Sequence, residues 1–442
     1  MENCEPKKEL ILINPVANGW TMAVFFAFFF PRSFRSPIAF QILSALTPKD
    51  YKIKIYNRNL FLFKKKIPKG SLIGIACTTL SSYNAYQLAD HYRKAGCYVV
   101  MGGAHVRVLP EEALNHCHSV VIGEAESVWP EVIKDFENKS LKRIYEGKPL
   151  EDFFSPVEDY FFNIDPKILW FSGLSLSRGC KYRCDFCACL PSKPRYLRID
   201  QIVKMVSRIK ESIKFPYLLS LFPISFMEDN IFSNPKNAKE VFKALIPLKI
   251  KWISMSSLDI AFDDEALRLA KESGCVGLAL GFETIHPEKY QKSSLPGISS
   301  SDDYIRAIRN IRSYGINVFG LFMLGFDDYT HKDYFKLWLF IIKAHIKSRI
   351  YYVALTILMP FPGTQLFKRL QSEGRITSCD WRKYDMLFGV VFKPKNTSKF
   401  SLLLWANILR ATSFFLSPFM LIFLFFGGII FVQLLLLRMM GG

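Results

Sequence analysis

The sequence predicts an α/β protein in which two stretches of alternating strands and helices precede an uncharged apolar run. Short apolar segments alternate with amphipathic segments from residue 9 to about residue 370, and such alternation is typical of parallel sheets covered by helices. The final run, residues 411–437, contains no charged residue. We therefore expect an N-terminal doubly wound parallel sheet, then a partial (β/α)6 barrel, and a C-terminal transmembrane helical tail.

The amino-acid composition and net charge indicate which kind of partner the protein binds. The 442 residues suit two or three domains, and 50% of them are hydrophobic and 15% aromatic, which is rich for a soluble protein. The net charge of +19 comes with short lysine runs such as 64–66 and with no basic nucleic-acid motif. These features favour a membrane surface over nucleic acid as a partner.

The ten cysteines and the N-terminus indicate a reducing compartment. The cysteines are scattered along a long chain whose first residues lack the basic and apolar regions of a signal peptide, so a disulfide framework is not expected. Four of them have mostly apolar neighbours and are expected in the core: Cys77, Cys97, Cys117 and Cys275.

The first half reads as a doubly wound sheet. Its predicted strands are 9–15, 51–57, 72–78, 98–101 and 120–122, and its clearest helices are 36–46 and 83–94. Ligands of such sheets bind beyond the carboxyl ends of the strands. The candidate binding residues at these ends are Thr78, Thr79, Ser81, Gly102, Gly103, His105, Gly123 and Glu124.

The second half opens with three cysteines, Cys180, Cys184 and Cys187, directly after a strand-like run. Thiolates suit iron–sulfur clusters and zinc. Three thiolates on one loop can hold three corners of a cubane cluster and leave the fourth iron open to a substrate or cofactor. A closed zinc site would need a fourth ligand, for which Cys189 is a candidate at an unusual spacing.

Further strands are predicted at 218–226, 252–257, 276–284, 317–324 and 353–359. Polar and acidic residues follow several of them, and the chemistry of barrel-type folds lies at those ends. The candidates are Glu228, Asp229, Ser256 and Glu283.

The cysteine loop closely resembles that of radical S-adenosylmethionine (SAM) enzymes. The resemblance implies a [4Fe-4S] cluster on Cys180, Cys184 and Cys187. It also implies SAM contacts from Phe186 to the adenine, from Glu228 and Asp229 to the amino group, from Ser256 to the ribose, and from Glu283 in the SAM pocket.

The first half resembles the cobalamin-binding domain of the B12-binding-domain-containing radical SAM family, a domain of Rossmann or flavodoxin type. The match rests on the segments 102–105, 109–114 and 123–126, and it implies cobalamin at the carboxyl ends of the first sheet. The Asp-x-His-x-x-Gly motif that ligates cobalt in many cobalamin enzymes is missing from the sequence, so His105 is not expected to be a cobalt ligand.

The resemblance implies reductive cleavage of SAM to a 5′-deoxyadenosyl radical, with a flavodoxin- or ferredoxin-type electron donor. C-methylation or related C–H chemistry would follow. Three hypotheses stay open at this point: a cobalamin-dependent enzyme, a radical SAM enzyme that has lost cobalamin, and a non-catalytic, membrane-tethered metal-binding protein.

The expected domains are a cobalamin-type domain (1–145), a linker (146–170), the partial barrel (171–370), an extension (371–400) and a membrane-embedded segment (401–438). Lysines and an arginine precede the uncharged run and only Arg438 follows it, which favours catalytic domains on the cytoplasmic side of the cell membrane. Together with the phenylalanine-rich segment 21–30, the tail favours a hydrophobic or lipid-like substrate.

Overall fold

The computed structural model describes residues 8–17, 38–57, 67–150, 173–189, 193–212, 223–290 and 298–418. They fall into two compact units, one within 1–229 and 359–392 and the other within 230–358 and 393–442. The segment 21–30, most of the predicted linker and the end of the predicted tail lie outside the described residues.

The first unit contains a six-stranded, fully parallel sheet. Its strands are β1 Glu9–Asn14, β2 Lys52–Asn57, β3 Leu72–Ala76, β4 Tyr98–Gly102, β5 Ser119–Gly123 and β6 Ile144–Gly147. Its helices are α1 Ile38–Ala45, α2 Ser82–Lys94, α3 Ala104–Val108, α4 Pro110–Leu114 and α5 Trp129–Glu137. The strand order β2-β1-β3-β4-β5-β6 confirms the doubly wound, flavodoxin-type prediction.

The first sheet is apolar on both faces, which explains why its strands read as continuous apolar runs. Leu10 and Leu12 of β1 belong to one core cluster, which includes Trp129 of α5. Ile11 and Ile13 point to the opposite cluster, which is built largely on α2. Successive side chains of a strand alternate between faces, so this strand supplies both cores.

Strand β6 is an element that the sequence analysis did not predict, at the boundary between the expected first domain and the expected linker. It pairs with β5 from Val120↔Ile144 to Gly123↔Gly147 and adds an edge strand. Only Tyr145 among its four residues is buried. A short strand with one buried side chain has almost no apolar periodicity, so no sequence pattern indicates it.

The first unit also contains the start of the predicted barrel and the segment after the last barrel strand. Its further elements are β7 Ser177–Arg178, β8 Arg195–Tyr196, α6 Ile199–Ser212, β9 Ile224–Phe226 and α12 Gln365–Ser372. The strands β7 and β8 pair antiparallel, and Leu174 forms a parallel bridge with Phe226.

The second unit is a run of βα units. Its strands β10 Trp252–Ser256, β11 Cys275–Glu283, β12 Asn317–Leu324 and β13 Tyr352–Ile357 are parallel and neighbour one another in chain order. Its helices are α7 Pro235–Leu245, α8 Asp264–Glu272, α9 Pro287–Tyr290, α10 Ser301–Ser313, α11 His331–Ser348 and α13 Lys399–Leu416. The predicted α/β alternation is therefore confirmed here.

Helix α13 covers strand β13, which ends the strand order. The hydroxyl of Ser413 donates to the carbonyl of Val353 at 2.8 Å and accepts from its N–H at 3.0 Å. Arg410 Nε donates to the carbonyl of Leu355 at 2.9 Å. These side chains satisfy backbone groups that an uncovered edge would leave open.

This packing corrects the prediction of a membrane-embedded segment over 401–416. That part of the tail is a helix that buries Leu402, Ala406, Leu409 and Ser413 within the second unit. Across the residues that the structure describes, no helix is long and apolar enough to cross a membrane.

Candidate active site

The cysteine loop connects β7 to β8. Gly179, at φ +92°, turns the chain into the loop in a backbone conformation that favours glycine. Cys180 and Cys184 are half-buried and Cys187 is exposed, while Phe186 between the last two is half-buried. The Cys187 N–H donates to the Cys184 carbonyl at 3.1 Å, which folds these two residues into one turn.

Two hydrogen bonds hold this loop from outside. The N–H of Leu366, in α12, donates to the Asp185 carbonyl at 2.9 Å. The guanidinium of Arg107, in α3, donates to the Ala188 carbonyl at 3.1 Å. The loop is therefore anchored on both sides of Cys187 while its thiols keep access to solvent.

The donor set fits an iron–sulfur cluster. Three thiols on one anchored loop match a cluster that takes three protein ligands, although no three Cys, His, Asp or Glu side chains among the described residues already stand in metal-binding geometry. Cys189 is exposed and its Sγ donates to Asp229 Oδ1 at 3.4 Å. The four cysteines expected in the core are all buried, which confirms that prediction.

Glu228 lies just beyond β9 and is buried. Its carboxylate accepts hydrogen bonds from the N–H of Leu176 and from the hydroxyl of Ser177. Burial raises the pKa of Glu228 to about 7, against the lowering effect of those two donors. The group thus ties the end of β9 to the strand that enters the cysteine loop, whereas its neighbour Asp229 is exposed.

A charged network joins the first sheet to the flanks of the cysteine loop. Arg178 pairs with Glu124 at 3.1 Å and with Glu126, and Arg195 pairs with Glu124. Burial by itself would raise the pKa of Glu124, but the hydrogen bond from Arg195 and the charge of Arg178 hold it below its ordinary value.

A cavity of about 410 Å³ lies within the first unit at the carboxyl ends of β3, β4 and β5. Its lining contains the predicted residues Gly102, Gly103, Gly123 and Glu124, together with Ser175 and Arg178. A Cβ on Gly103 would stand 2.6 Å from the Cys77 carbonyl oxygen. Glycine here lets the turn after β4 pack closely against the main chain of Cys77, and the same turn lines the cavity.

The other candidates of this domain do not line the cavity. Thr78 and Ser81 cap a short 3₁₀ turn through each other's backbone and side chain. Thr79 Oγ1 lies 3.0 Å from Nδ1 of His105. His105 is fully buried and its Nε2 lies 3.4 Å from a Glu112 carboxylate oxygen.

His105 thus belongs to an internal polar network. Trp381 Nε1 donates to the same Glu112 oxygen at 2.7 Å and its ring packs edge-on against His105. The network connects the sheet domain to Trp381.

In the second unit, Ser256 ends β10 and is buried, with its hydroxyl donating to the Ser257 carbonyl at 3.1 Å. The Ser257 N–H and hydroxyl donate to Asn230 Oδ1 at 2.9 and 3.1 Å, and the Phe232 N–H donates to the same oxygen at 3.1 Å. Asn230 therefore fixes the carboxyl end of β10. Sequence reasoning gave it no role of its own, although it directly follows the acidic pair.

Glu283 ends β11 in a left-handed conformation, φ +64°, at a point where the register with β12 shifts. Its carboxylate folds back over Gly281, where a Cβ would collide with it. Strained backbone of this kind in a residue other than glycine persists only where the surroundings fix it, and it is common at functional sites. The next residue, Thr284, forms a hydrogen bond with Tyr329, with 2.8 Å between its Oγ1 and the phenol oxygen.

Comparisons with known proteins agree with this fold and loop. The Radical SAM superfamily model matches residues 174–339. The chain is 30% identical over 333 residues to bacteriochlorophyllide d C-12(1)-methyltransferase of Chlorobaculum tepidum, covering 73% of this chain and 70% of that protein. It is 23% identical over 371 residues to hopanoid C-2 methylase of Rhodopseudomonas palustris, covering 80% and 68%.

Among solved structures, the chain resembles the radical SAM methyltransferase TsrM of Kitasatospora setae, which was determined with cobalamin and a [4Fe-4S] cluster bound. The TM-score is 0.58 and the identity 15%, over 83% of this chain and 78% of that one, so this likeness concerns the fold.

Fold and loop together define a radical SAM enzyme. With the relatives above, the chain belongs to the B12-binding-domain-containing radical SAM family. The cofactors of that family are a [4Fe-4S] cluster, SAM and cobalamin, as predicted. The hypothesis of a non-catalytic metal-binding protein is therefore wrong.

Sequence reasoning missed the basic half of the charged network. Arg178 and Arg195 stand on paired strands that flank the loop, and the acidic residues they meet are two apart, at 124 and 126. The only available signal was the position of Arg178, which directly precedes Gly179 and Cys180. Nothing in the sequence indicated its distant partners.

Proposed function

We propose that this enzyme is a cobalamin-dependent radical SAM C-methyltransferase that acts on a hydrophobic substrate at the cell membrane. The glycine-walled cavity of the first unit carries the proposal. Its lining combines the ends of β3–β5 with Ser175 and Arg178, which stand five and two residues before the first cysteine of the loop. A flat cofactor in this cavity would thus contact the same segment that carries the cluster ligands.

Different residues of the chain would bind the cluster and the cobalamin. Cys180, Cys184 and Cys187 would hold the cluster, and the main chain at Gly102 and Gly103 would support the corrin. Arg178, paired with Glu124 and Glu126, would keep the entry strand of the loop in place. When bound, the cluster and SAM would supply the 5′-deoxyadenosyl radical, and cobalamin in the cavity would supply the methyl group.

SAM recognition is assigned by the resemblance. We place the adenine beside Phe186, the amino group at Glu228 and Asp229, the ribose at Ser256 and the pocket wall at Glu283. Of the two carboxylates after β9, Asp229 is the exposed one. It is therefore the better candidate for direct contact with the cationic amino group, with Glu228 bracing the strand behind it.

The substrate class rests on the relatives and on the sequence. The relatives named above act on a bacteriochlorophyllide and a hopanoid, both largely hydrophobic polycyclic molecules. The uncharged run that continues past α13 to Leu437 and the segment 21–30 favour access from the membrane, with the catalytic domains on the cytoplasmic side. A flavodoxin- or ferredoxin-type protein would deliver the electron.

The test is anaerobic reconstitution of the full chain with iron, sulfide and cobalamin. We expect a thiolate-to-iron absorption band, retention of cobalamin through gel filtration and reductive cleavage of SAM to 5′-deoxyadenosine. With SAM labelled in its methyl group, label should enter a bacteriochlorophyllide or a hopanoid precursor.

The matched variants are Cys184→Ala and Cys189→Ala. We expect the first to lose the absorption band and SAM cleavage and the second to keep both. SAM cleavage without cobalamin retention would support the alternative of a family member that has lost cobalamin. Failure of SAM cleavage by the fully reconstituted enzyme would overturn the proposal.

A further inference from the structure

The outer face of helix α11 is unusual for a surface helix. Phe335, Leu339 and Ile346 are 49%, 47% and 68% exposed, and their spacing places them along one stripe of the helix. A second exposed stripe beside it consists of lysines whose spacing also places them on one side of the helix: Lys332, Lys336 and Lys347. The single acidic residue of this helix, Asp333, is buried.

Helix α13 presents a matching apolar face. Phe400, Leu404 and Phe415 are 76%, 50% and 62% exposed, and Ile408 is exposed between them. The opposite face carries the buried residues that pack within the unit. The helix contains no Asp or Glu.

The two faces form one surface, the α11/α13 face. Trp338 Nε1 donates to Thr412 Oγ1 at 3.0 Å, and Trp405 Nε1 donates to His331 Nδ1 at 3.0 Å. Because both contacts advance in step along the chain, the helices run side by side in the same direction. The two tryptophans lie half-buried in the seam, with indole N–H groups satisfied and rings beside the apolar stripes.

Charge decides which partner fits. Lys343 pairs with Asp302 and Lys336 lies 3.6 Å from Asp333, but the stripe as a whole remains basic. A second copy packed two-fold on this face would set lysines against lysines. The chain's own segment 419–437 carries no charge and would leave the lysines uncompensated. An anionic bilayer surface satisfies the apolar stripe and the lysines together.

We propose that the α11/α13 face docks on an anionic lipid surface, with the apolar side chains at the level of the headgroups and the lysines on the phosphates. Interfacial helices with basic and aromatic residues bind membranes in this way, and tryptophan favours that zone. The inference concerns a different surface from the cavity and the cysteine loop, and it holds whichever cofactor chemistry the enzyme performs.

The experiment compares full-length variants in vesicle flotation, using phosphatidylcholine vesicles with and without phosphatidylglycerol. The face variant Ile346→Asp/Phe400→Asp removes two exposed apolar side chains and adds two charges. The control Phe262→Asp/Phe388→Asp also replaces two large apolar side chains by Asp, at residues outside the α11/α13 face that are 41% and 46% exposed. We expect the face variant to lower the partition coefficient about tenfold or more and the control to change it less than about twofold.

Two further measurements complete the test: substitution of the lysines and labelling with a photoactivatable lipid. Lys332→Gln/Lys347→Gln should weaken binding to the anionic vesicles and leave the weak binding to neutral vesicles unchanged. A photoactivatable lipid should label peptides from 331–348 and 399–416 in the wild-type chain. Circular dichroism and SAM cleavage, measured on the same samples, separate loss of docking from misfolding and from failure of the proposed activity.

Three outcomes would overturn the proposal. Equal partitioning of the face and control variants would exclude a docking role. Lipid label confined to residues 419–437 would assign membrane binding to that segment alone. A dimer that the face variant converts to a monomer, with unchanged vesicle binding, would assign the face to a second copy of the chain.

Discussion

The strand ends of this enzyme present two different surfaces to a ligand. Strands β3 to β5 of the first sheet end in glycine and apolar residues around a cavity, with Gly102, Gly103 and Gly123 in its wall. Strand β11 ends instead in a carboxylate, Glu283, and Glu228 follows the last residue of β9 by two positions. Both kinds of end follow parallel strands, yet glycines leave main chain in the wall of the first, while a carboxylate lies at or just after the end of each strand in the second.

The difference shows how one type of architecture serves two ligands. Glycines at the strand ends leave part of the wall as main chain, which can approach the face of a large, flat molecule. A strand end with a fixed carboxylate instead suits a small ligand with a positive charge or hydroxyl groups. The comparison therefore predicts that substitutions at the glycine ends change cobalamin binding, and that substitutions at the carboxylate ends change SAM binding or the pH dependence of stability.

Filling the glycine wall should have the largest effect. A Cβ on Gly102 would meet only Val121 atoms at 3.6 and 3.7 Å, so the backbone tolerates a side chain there. We expect Gly102→Val to retain the fold while its side chain occupies the cavity, so that cobalamin retention and methyl transfer fall by at least about tenfold. Gel filtration of the reconstituted protein with cobalamin measured by absorption checks this.

The neighbouring glycine gives the matched contrast. Gly103 has φ +115° and a Cβ there would meet backbone, so Gly103→Ala should lower thermal stability as well as cobalamin retention. Full cobalamin retention by Gly102→Val would break the proposed role of the cavity.

The buried carboxylate of Glu228 should make the free energy of unfolding depend on pH. The pKa of Glu228 is raised from 4.5 to about 7, so the folded protein binds its proton more tightly than the unfolded chain does. Its contribution to the free energy of unfolding is therefore present below about pH 4.5 and lost as pH rises to about 7, by about 3 kcal/mol at most.

Glu228→Gln should remove this dependence. Urea unfolding of both proteins between pH 4.5 and pH 8 should show the stability of the wild type falling relative to that of the variant as pH rises. Glu265→Gln, at an exposed carboxylate whose pKa is lowered by Lys239, is the control and should show no such fall. Parallel curves for wild type and Glu228→Gln would mean that Glu228 titrates normally.

The smallest effect should come from Gly281→Ala. A Cβ at this position would collide with the carboxylate of Glu283, which is the flexible end of a side chain and can move aside. We expect SAM affinity to fall severalfold while the melting temperature changes by only a few degrees. Equilibrium binding of SAM by calorimetry measures this.

A double-mutant cycle sharpens this prediction. If Gly281→Ala acts by displacing the carboxylate, adding it to Glu283→Gln should change SAM affinity no further. Additive effects would show that Gly281→Ala lowers SAM affinity without acting through the carboxylate of Glu283.

Much of the fold could be predicted because it rests on local pattern. Runs such as Leu72–Ala76 are buried on both faces and therefore apolar throughout, which marks a central strand. Strand β6 was not predicted because a single buried residue produces no apolar periodicity in the sequence. The prediction of a membrane-embedded segment over 401–416 was wrong because α13 places two of its polar side chains, Ser413 and Arg410, against the edge of β13, a role that hydropathy does not reveal.

The sequence by itself determined the chemistry class, because the three cysteine ligands lie on one short loop whose spacing is visible in the chain. It also determined which strand ends carry glycine and which carry carboxylates. Only the tertiary structure decided that Glu228 is a buried brace, that His105 lies in an internal network and that Arg178 reaches Glu124 and Glu126. Those roles depend on partners 50 or more residues away for Glu228 and Arg178 and 26 residues away for His105, and no local pattern encodes such contacts.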